Sequence, residues 1–224
     1  MIKIAIDGPG GAGKSTVAKA VAAKLGIVYV DTGALYRTVG LYVSKMEVDP
    51  HDAEAVTALL PQISIDVRYE DGVQCVYLNG ENPKDAIRTP KMSMYASAVS
   101  AIPAVRAFLL ETQKEIARHN SVIMDGRDIG TVILPDADVK IFMTASAECR
   151  ARRRYDELVA KGVSVRFEDV LAEMNERDKN DSTREIAPAT AAADAILFDN
   201  TGMTLEQSVD AVIALVKEKT GAEA

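Results

Sequence analysis

The chain has 224 residues, 48% of them apolar, and a formal net charge of −7. This length suits one α/β domain with insertions, and the acidic balance argues against a general nucleic-acid binder, which needs a basic surface. No apolar run reaches the roughly 18 residues of a membrane span, so we expect no membrane anchor. The sequence begins in a predicted strand, so we expect no signal peptide. Cys75 and Cys149 lie far apart without metal-ligand spacing, so we expect a reduced, cytoplasmic protein.

Short apolar runs alternate along the chain with helical stretches, a pattern typical of a parallel sheet covered by helices. The apolar runs predict strands at 2–6, 27–30, 121–124, 139–143 and 195–198. Helical periodicity predicts helices at 14–25, 33–44, 52–60, 91–98, 103–118, 146–160, 166–179 and 204–219. We therefore predict an α/β fold.

The first predicted strand leads into the sequence GPGGAGKS at residues 8–15. This is a Gly-x-x-x-x-Gly-Lys-Ser phosphate-binding loop, whose glycines let successive backbone N–H groups point at phosphate oxygens. Lys14 adds a positive charge for the β- and γ-phosphates, and the Ser15 hydroxyl can ligate Mg²⁺. The alternative is a glycine-rich turn with an incidental lysine, but the flanking strand and helix favour a nucleoside triphosphate site.

One segment departs from the alternation of strands and helices. Apolar residues alternate with polar ones from Ile63 to Tyr69 and again from Val73 to Tyr77, with turn dipeptides at Asp71-Gly72 and Asn79-Gly80. They predict an inserted antiparallel piece of about three strands. It is either a flap on the substrate side or a hairpin without a role in binding, and the pattern does not separate the two.

Charged residues follow two of the predicted strands. Asp125 closes the 121–124 strand, where a carboxylate lies beside the phosphate loop and can hold a metal directly or through water, unless it only caps a loop. Arg127 and Asp128 come next between two glycines, exposed in the crevice or joined in a salt bridge. After the 27–30 strand, Asp31 or Thr32 can cap the next helix, and Arg37 is suited to clamp a second phosphate.

Further arginines occur in two dense groups. Arg150, Arg153 and Arg154 share one face of the 146–160 helix, which either binds an anion or is a solvated basic face paired with acidic neighbours. The polar run from Arg177 to Arg184 predicts a helix end that enters a loop, which is either a ligand-reading edge or a mobile lid. A triphosphate loop with arginines on separate segments suits phosphoryl transfer, in which catalysis is mainly positioning and charge neutralisation.

Five stretches together resemble the bacterial cytidylate kinases, a family of nucleoside-monophosphate kinases with a P-loop. They are residues 6–16, 31–37, 125–131, 150–154 and 177–184. The resemblance implies transfer of a phosphoryl group from ATP to CMP or dCMP with Mg²⁺. It also implies a single three-layer P-loop kinase domain over 1–224, with a central five-stranded parallel sheet, a monophosphate-binding insertion at about 62–88 and a lid at about 151–166.

The resemblance also assigns roles by position. The ATP-binding residues would be Gly8, Pro9, Gly10, Gly11, Ala12, Gly13, Lys14, Ser15, Thr16, Arg150 and Arg154. The acceptor phosphate would be held by Thr32, Arg37, Arg106 and Arg127, the cytosine by Ser97, Asp128 and Arg184, and the ribose by Arg177 and Asp181. The catalytic group would be Lys14, Asp125, Arg127 and Arg153, with Ser15 as the metal ligand and Asp125 beside it.

Two alternatives stay open at this point. A related P-loop kinase would keep the fold and use another acceptor, such as UMP, AMP, GMP or shikimate. A nucleotide-dependent switch is a different class, but a GTPase should carry an Asn-Lys-x-Asp guanine reader, and the chain has no Asn-Lys dipeptide. We expect a monomer that binds ATP and CMP or dCMP, without nucleic-acid or membrane partners.

Overall fold

The structure, a computed structural model, describes residues 1–70 and 72–221. Its strands are β1 (Lys3–Asp7), β2 (Val28–Asp31), β3 (Ile65–Glu70), β4 (Val73–Leu78), β5 (Val122–Gly126), β6 (Val139–Thr144) and β7 (Ile196–Asp199). Its α-helices are α1 (Lys14–Leu25), α2 (Thr32–Lys45), α3 (Ala53–Leu59), α4 (Pro90–Ser100), α5 (Pro103–His119), α6 (Ala147–Ala160), α7 (Phe167–Thr183) and α8 (Leu205–Thr220).

Five strands form one parallel sheet in the order β2-β5-β1-β6-β7. The predicted α/β fold with a central five-stranded parallel sheet is therefore confirmed. Because all five strands run the same way, their carboxyl ends meet at one edge of the sheet. β1 lies in the middle, so the phosphate loop that follows Asp7 sits at the centre of that edge, flanked by the ends of β5 and β6.

The strands carry continuous apolar runs because helices cover both faces of the sheet. Ile4 and Ile6 pack on one face with Val17 and Val21 of α1 and with the apolar stripe of α8. Their neighbour Ala5 faces the other side, in a cluster with residues of β5 and α5. The alternation along β1 thus produces three layers, helix on sheet on helix.

In its described residues the insertion has two strands, not about three, so that part of the prediction is wrong. β3 and β4 form an antiparallel pair in register from Ile65–Leu78 to Glu70–Val73. The predicted Asn79-Gly80 turn is present, but it is followed by a single bridge from Leu78 to Glu81. Pro83 lacks an N–H group to continue a ladder, and the chain enters a short 3₁₀ helix, Lys84–Arg88. The other predicted turn includes residue 71, which lies outside the described residues.

Helix α7 corrects a second expectation, because it runs to Thr183 rather than ending near 179. Arg177 and Asp181 consequently lie on a regular helix, and only Arg184 follows it. The predicted lid is also mostly helical, since α6 extends to Ala160 and α7 begins at Phe167. Only residues 161–166 form an irregular connection there.

Among residues 1–70 and 72–221, no single helix is long and apolar enough to cross a bilayer. Helices α4 and α5 meet the length and composition criteria only together, as a pair bent by 101°. Their apolar residues Val99, Val105 and Leu109 are buried in a core shared with α2 and the insertion.

The loss of stability on truncating an apolar strand side chain should depend on how deeply that side chain is buried. Ile123 in the middle of β5 is 0% exposed, whereas Leu197 on the edge strand β7 is 73% exposed. We expect Ile123→Ala to lower the free energy of unfolding by about 2–5 kcal/mol and Leu197→Ala by at most about 0.5 kcal/mol. Urea unfolding followed by circular dichroism measures both, and equal losses would contradict this packing.

Candidate active site

The phosphate loop is held in a shape that only glycine permits at its start. Gly8 has φ +143°, and a Cβ there would lie 1.9 Å from the backbone oxygen of Met143. No side chain within the described ranges caps the first turn of α1, whose N-cap is Gly13. The N–H groups of that turn are therefore available to an anion.

Lys14 is buried, and its Nζ donates to the backbone oxygen of Pro9 at 2.7 Å. The ammonium thus folds back over its own loop, where a phosphate would lie. Burial and the nearby Arg127 hold the pKa of Lys14 well below its ordinary value. A phosphate group bound in the loop would favour the charged form of Lys14.

The carboxylate of Asp125 lies in a small buried cluster of oxygen atoms. Its Oδ2 accepts from the Ser15 hydroxyl at 2.7 Å, and its Oδ1 accepts from the Tyr29 hydroxyl at 2.7 Å. Burial and the neighbouring Asp31 raise the pKa of Asp125, and burial and Asp125 raise that of Tyr29. Among the described residues, no positively charged side chain forms an ion pair with this carboxylate.

Hard oxygen ligands beside a phosphate loop fit Mg²⁺, which commonly binds one or two protein oxygens together with phosphates and water. Ser15 and Asp125 supply such oxygens here. No group of three or more His, Cys, Asp or Glu side chains suited to a metal occurs in the part of the chain that the structure describes. The donor set thus suits a cation that arrives with a nucleotide.

Arg37 reaches the site from the first turns of α2. Asp31, the N-cap of that helix, accepts from the N–H of Ala34 at 2.9 Å and from Nη2 of Arg37 at 2.9 Å. The Thr32 hydroxyl donates to the backbone oxygen of Asp125 at 2.8 Å and is buried. Arg37 is thus aimed by a carboxylate, while Thr32 ties the start of α2 to the end of β5.

Asp181 gathers residues from three elements. It accepts from Nε of Arg127 at 2.9 Å and from the Ser97 hydroxyl of α4 at 2.8 Å, and Nε of Arg177 lies 3.8 Å away. Burial alone would raise the pKa of Asp181, but the two arginines outweigh it and hold that pKa below its usual value. Burial and Arg127 lower the pKa of Arg177 to about 10.

Asp128 forms the centre of a second buried cluster. Arg106 of α5 pairs with it, and Nη2 of Arg184 lies 3.9 Å from its Oδ1. That Nη2 is buried with no hydrogen-bond partner in residues 1–70 and 72–221, so it remains available as a donor. Arg184 also donates to the Ser100 hydroxyl, and Arg106 donates to the Ser100 backbone oxygen.

The placement of Arg106 differs from the sequence assignment. The sequence groups Arg106 with Arg37 and Arg127 around the acceptor phosphate. In the structure it pairs with Asp128, a residue assigned to cytosine, and donates to the backbone oxygen of Ser100 at the end of α4. Arg106 is therefore a partner of the Asp128 carboxylate.

The arginines of α6 have three different settings. Arg150 is buried and donates to the backbone oxygens of Gly10 and Ala145 and pairs with Asp178 of α7, so it supports the phosphate loop from behind. Arg153 donates to the backbone oxygen of Ala12 and to Asn200. Arg154 pairs with Glu157, as the solvated-face alternative expected, but still lines the cleft.

One open cleft of about 640 Å³ extends from the phosphate loop to Arg37 of α2, Arg127 after β5 and Arg177 of α7. It is rich in positive charge, from Lys14, Arg37, Arg127, Arg153, Arg154 and Arg177. The assigned residues that do not line it are Gly8, Pro9, Ala12, Thr32, Ser97, Arg106, Asp128, Arg150, Asp181 and Arg184. The structure thus brings the predicted residues to one edge of the sheet, in a layer that faces the cleft and a layer that supports it.

Several residues of the site escape sequence reasoning. Asp7 accepts from the N–H groups of Ile129 at 2.7 Å and Gly130 at 2.8 Å, and so fixes the segment that carries Asp128. Asn200 donates to the backbone oxygen of Ala12 at 2.9 Å. Both residues lie at the carboxyl end of a parallel strand. The same position in the sequence pattern identified Asp125 as a candidate. Tyr29 and Asp178 lie within regular elements and carry no such signal.

A phosphate loop at the centre of a parallel sheet, facing arginines from several elements, defines the class of P-loop phosphotransferases. The family model described as cytidylate kinase matches residues 4–218. A cytidylate kinase of Caldicellulosiruptor bescii is 50% identical over 214 residues, 96% of this chain and 95% of that protein. One from Fervidobacterium nodosum is 49% identical over 217 residues, 97% of each chain. The chain belongs to the cytidylate kinase family.

Among solved structures, an uncharacterized protein from Eubacterium ventriosum superposes with a TM-score of 0.54. The match covers 97% of this chain and 98% of that one, at 16% sequence identity. At that identity the similarity concerns the fold alone.

Asp7 should make stability depend on pH. Burial raises its pKa from 3.8 to about 6, so between these values the folded protein keeps a proton that the unfolded chain has released. The free energy of unfolding should therefore fall as the pH rises from about 4 to about 6, by about 3 kcal/mol from this group. Urea unfolding across this range should show that slope in the wild type and not in Asp7→Asn. An identical slope in both proteins would rule out the assignment.

Proposed function

We propose that the cleft transfers the γ-phosphoryl group of ATP to CMP or dCMP, giving ADP and CDP or dCDP. The observation that carries the proposal is the single cleft in which the phosphate loop faces Arg37, Arg127 and Arg177. A phosphate loop alone suits hydrolysis as well as transfer. Arginines on the opposite side of the loop suit a second phosphorylated substrate, and full-length similarity to cytidylate kinases supports CMP as that substrate.

The donor side is built by the loop and α1. Backbone N–H groups from Gly11 to Ser15 would surround the phosphates, and the positive end of the α1 dipole would point at them. Lys14 neutralises charge on the transferred group, and Arg153, held by Asn200 and Ala12, reaches the loop from α6. Mg²⁺ bound with ATP would lie at Ser15 and Asp125 and neutralise phosphate charge there.

The acceptor side is built by α2, the end of β5 and α7. Arg37 and Arg127 are each aimed by a buried carboxylate, Asp31 and Asp181, and Arg177 stands beside Asp181. Their forks suit the three oxygens of a monophosphate and would bring its attacking oxygen toward the loop. Because like charges repel, a bound phosphate would relieve the repulsion between Arg127 and Arg177.

The cytosine would be read by Asp128 and Arg184. Asp128 can accept from the exocyclic amine, and the unpartnered Nη2 of Arg184 can donate to the ring N3 or the carbonyl. Uracil offers a carbonyl in place of the amine and a donor in place of N3, so it would leave buried groups unpaired. Arg177 and Asp181 would face the ribose, and Ser97, assigned to the cytosine, donates its hydroxyl to Asp181.

Segment 161–166 with the adjoining turns of α6 and α7 would act as the lid. Arg154, Leu158 and Val170 line the cleft from this side. Closure here would exclude water, so that the phosphoryl group reaches the nucleotide and is not hydrolysed.

We further propose that the protein acts in the cytoplasm, where both nucleotides are available, and as a monomer, which gel filtration would test.

A panel of acceptors separates this proposal from its alternatives. A coupled assay of ADP release with CMP, dCMP, UMP, AMP, GMP and shikimate should give the highest kcat/KM with CMP or dCMP. Highest activity with another acceptor would instead identify a related kinase. Slow ATP hydrolysis that no acceptor accelerates would identify a nucleotide-dependent switch.

Removal of the loop lysine should affect turnover more than stability. We expect Lys14→Met to lower kcat about 10²–10³-fold, because one charged donor to the transferred group is lost. Lys24 lies on the same helix but is exposed and pairs with Asp210, so Lys24→Met should keep wild-type kcat. The coupled assay measures both variants, and near-normal kcat in Lys14→Met would overturn the assigned role.

Removal of the base-facing carboxylate should change substrate preference. We expect Asp128→Ala to lower the CMP-to-UMP ratio of kcat/KM about tenfold or more, because the acceptor for the exocyclic amine is lost. Asp136→Ala alters an exposed carboxylate shortly after it and should keep the wild-type ratio. Thermal melts run in parallel identify any loss of folding, and Asp128→Asn preserves the side-chain shape. An unchanged ratio in both Asp128 variants would contradict the assignment.

A further inference from the structure

The outer edge of β2 is closed by side chains instead of a strand. Within the described residues β2 pairs with β5 alone, so one edge of it lacks a strand partner. The N–H of Asp31 donates to Oε1 of Gln74 at 2.6 Å, and Nε2 of Gln74 donates to the backbone oxygen of Asp31 at 3.3 Å. Tyr29 lies two residues before Asp31 on β2, and its backbone oxygen accepts from the Tyr69 hydroxyl at 3.3 Å.

The geometry of this contact follows the period of a strand. Main-chain groups of Tyr29 and Asp31 point to the same edge of β2 because the two residues are two apart. The amide of Gln74 supplies one acceptor and one donor, the same pair that a residue of a neighbouring strand would supply. Both side chains come from the β3–β4 hairpin, so the hairpin is attached to the main sheet at these positions.

Val76 and Leu78 of the hairpin pack in the core shared with α2, but a cleft of about 680 Å³ lies between the hairpin, α1 and β2, with Gln74, Asp31 and Tyr29 in its wall. On this side the hairpin is joined to the edge of β2 by the polar contacts of Gln74 and Tyr69. Gln74 makes two of those contacts, both with the main chain of one residue.

Asp31, the residue that Gln74 holds, also orients Arg37. The carboxylate of Asp31 caps α2 through Ala34 and pairs with Arg37, while the main chain of Asp31 is held by Gln74. Any shift of the Asp31 backbone therefore moves both the start of α2 and the guanidinium that faces the acceptor. Gln74 itself lies outside the cleft of the proposed reaction.

We propose that Gln74 is a positioning residue for the acceptor: its amide anchors the insertion to Asp31 and thereby orients Arg37. This inference rests on the proposed function, because it assigns Arg37 to the acceptor phosphate. It makes the insertion a part of the acceptor site, and it predicts that the donor side is independent of Gln74.

The test removes the amide while keeping the length of the side chain. We expect Gln74→Met to raise the KM for CMP about five- to tenfold, with kcat and the KM for ATP within about twofold of wild type. Gln74→Asn keeps the amide but is one methylene shorter, so it should behave like Gln74→Met. Arg68→Ala, which removes an exposed ion pair with Asp66 on the same hairpin, is the matched control and should keep wild-type constants.

A double-mutant cycle with Arg37→Ala distinguishes positioning from a general effect on the fold. If Gln74 acts through Arg37, adding Gln74→Met to Arg37→Ala should change the KM for CMP by less than about twofold. The proposal is overturned by an unchanged KM in Gln74→Met, by an equal rise in the KM for ATP, or by a full effect in the Arg37→Ala background. All variants are assayed with the monophosphate that the wild type uses best, so preference for another acceptor would overturn only the choice of CMP.

Discussion

Positive charge is concentrated at the carboxyl edge of the sheet, and much of the structure serves to hold it there without a ligand. Burial lowers the pKa of Lys14 and of Arg177, and the positive charge of the nearby Arg127 lowers both further. A cluster of this kind is stable only with counter-charge nearby. The protein supplies it from carboxylates behind the cleft, chiefly Asp181 and Asp125.

The paired carboxylates also give the arginines direction. An arginine free to rotate would lose conformational entropy on binding a phosphate, whereas one already held by a carboxylate has less to lose. Asp31 orients Arg37 and Asp181 orients Arg127, and in each case the carboxylate is buried while the guanidinium lines the cleft. The overall charge of −7 is therefore compatible with a strongly cationic site, because acidic residues are part of its construction.

The insertion extends the same principle beyond the sheet. It reaches the acceptor side through Gln74 and Asp31, so a segment absent from the strand-and-helix alternation contributes to the aim of one arginine. On the opposite side, α6 and α7 contact the loop through Arg150, Arg153 and Asp178. Helix α7 therefore serves both sides of the proposed reaction, because it also carries Asp181, which holds Arg127.

Much of the fold and part of the site could be predicted from the sequence, because periodicity and local motifs are properties of neighbouring residues. The phosphate loop, the five parallel strands and the position of Asp125 at a strand end are of this kind. The third inserted strand and the loop after residue 179 were wrong, since a proline ended the ladder in one case and a helix continued through polar residues in the other. Which arginine meets which carboxylate depends largely on contacts between separate elements, such as Arg127 with Asp181, 54 positions away. The sequence by itself therefore determined the chemistry at the edge of the sheet. Only the tertiary structure decided its partners, including Arg106 with Asp128 and Gln74 with Asp31, because those contacts exist only once separate elements pack together.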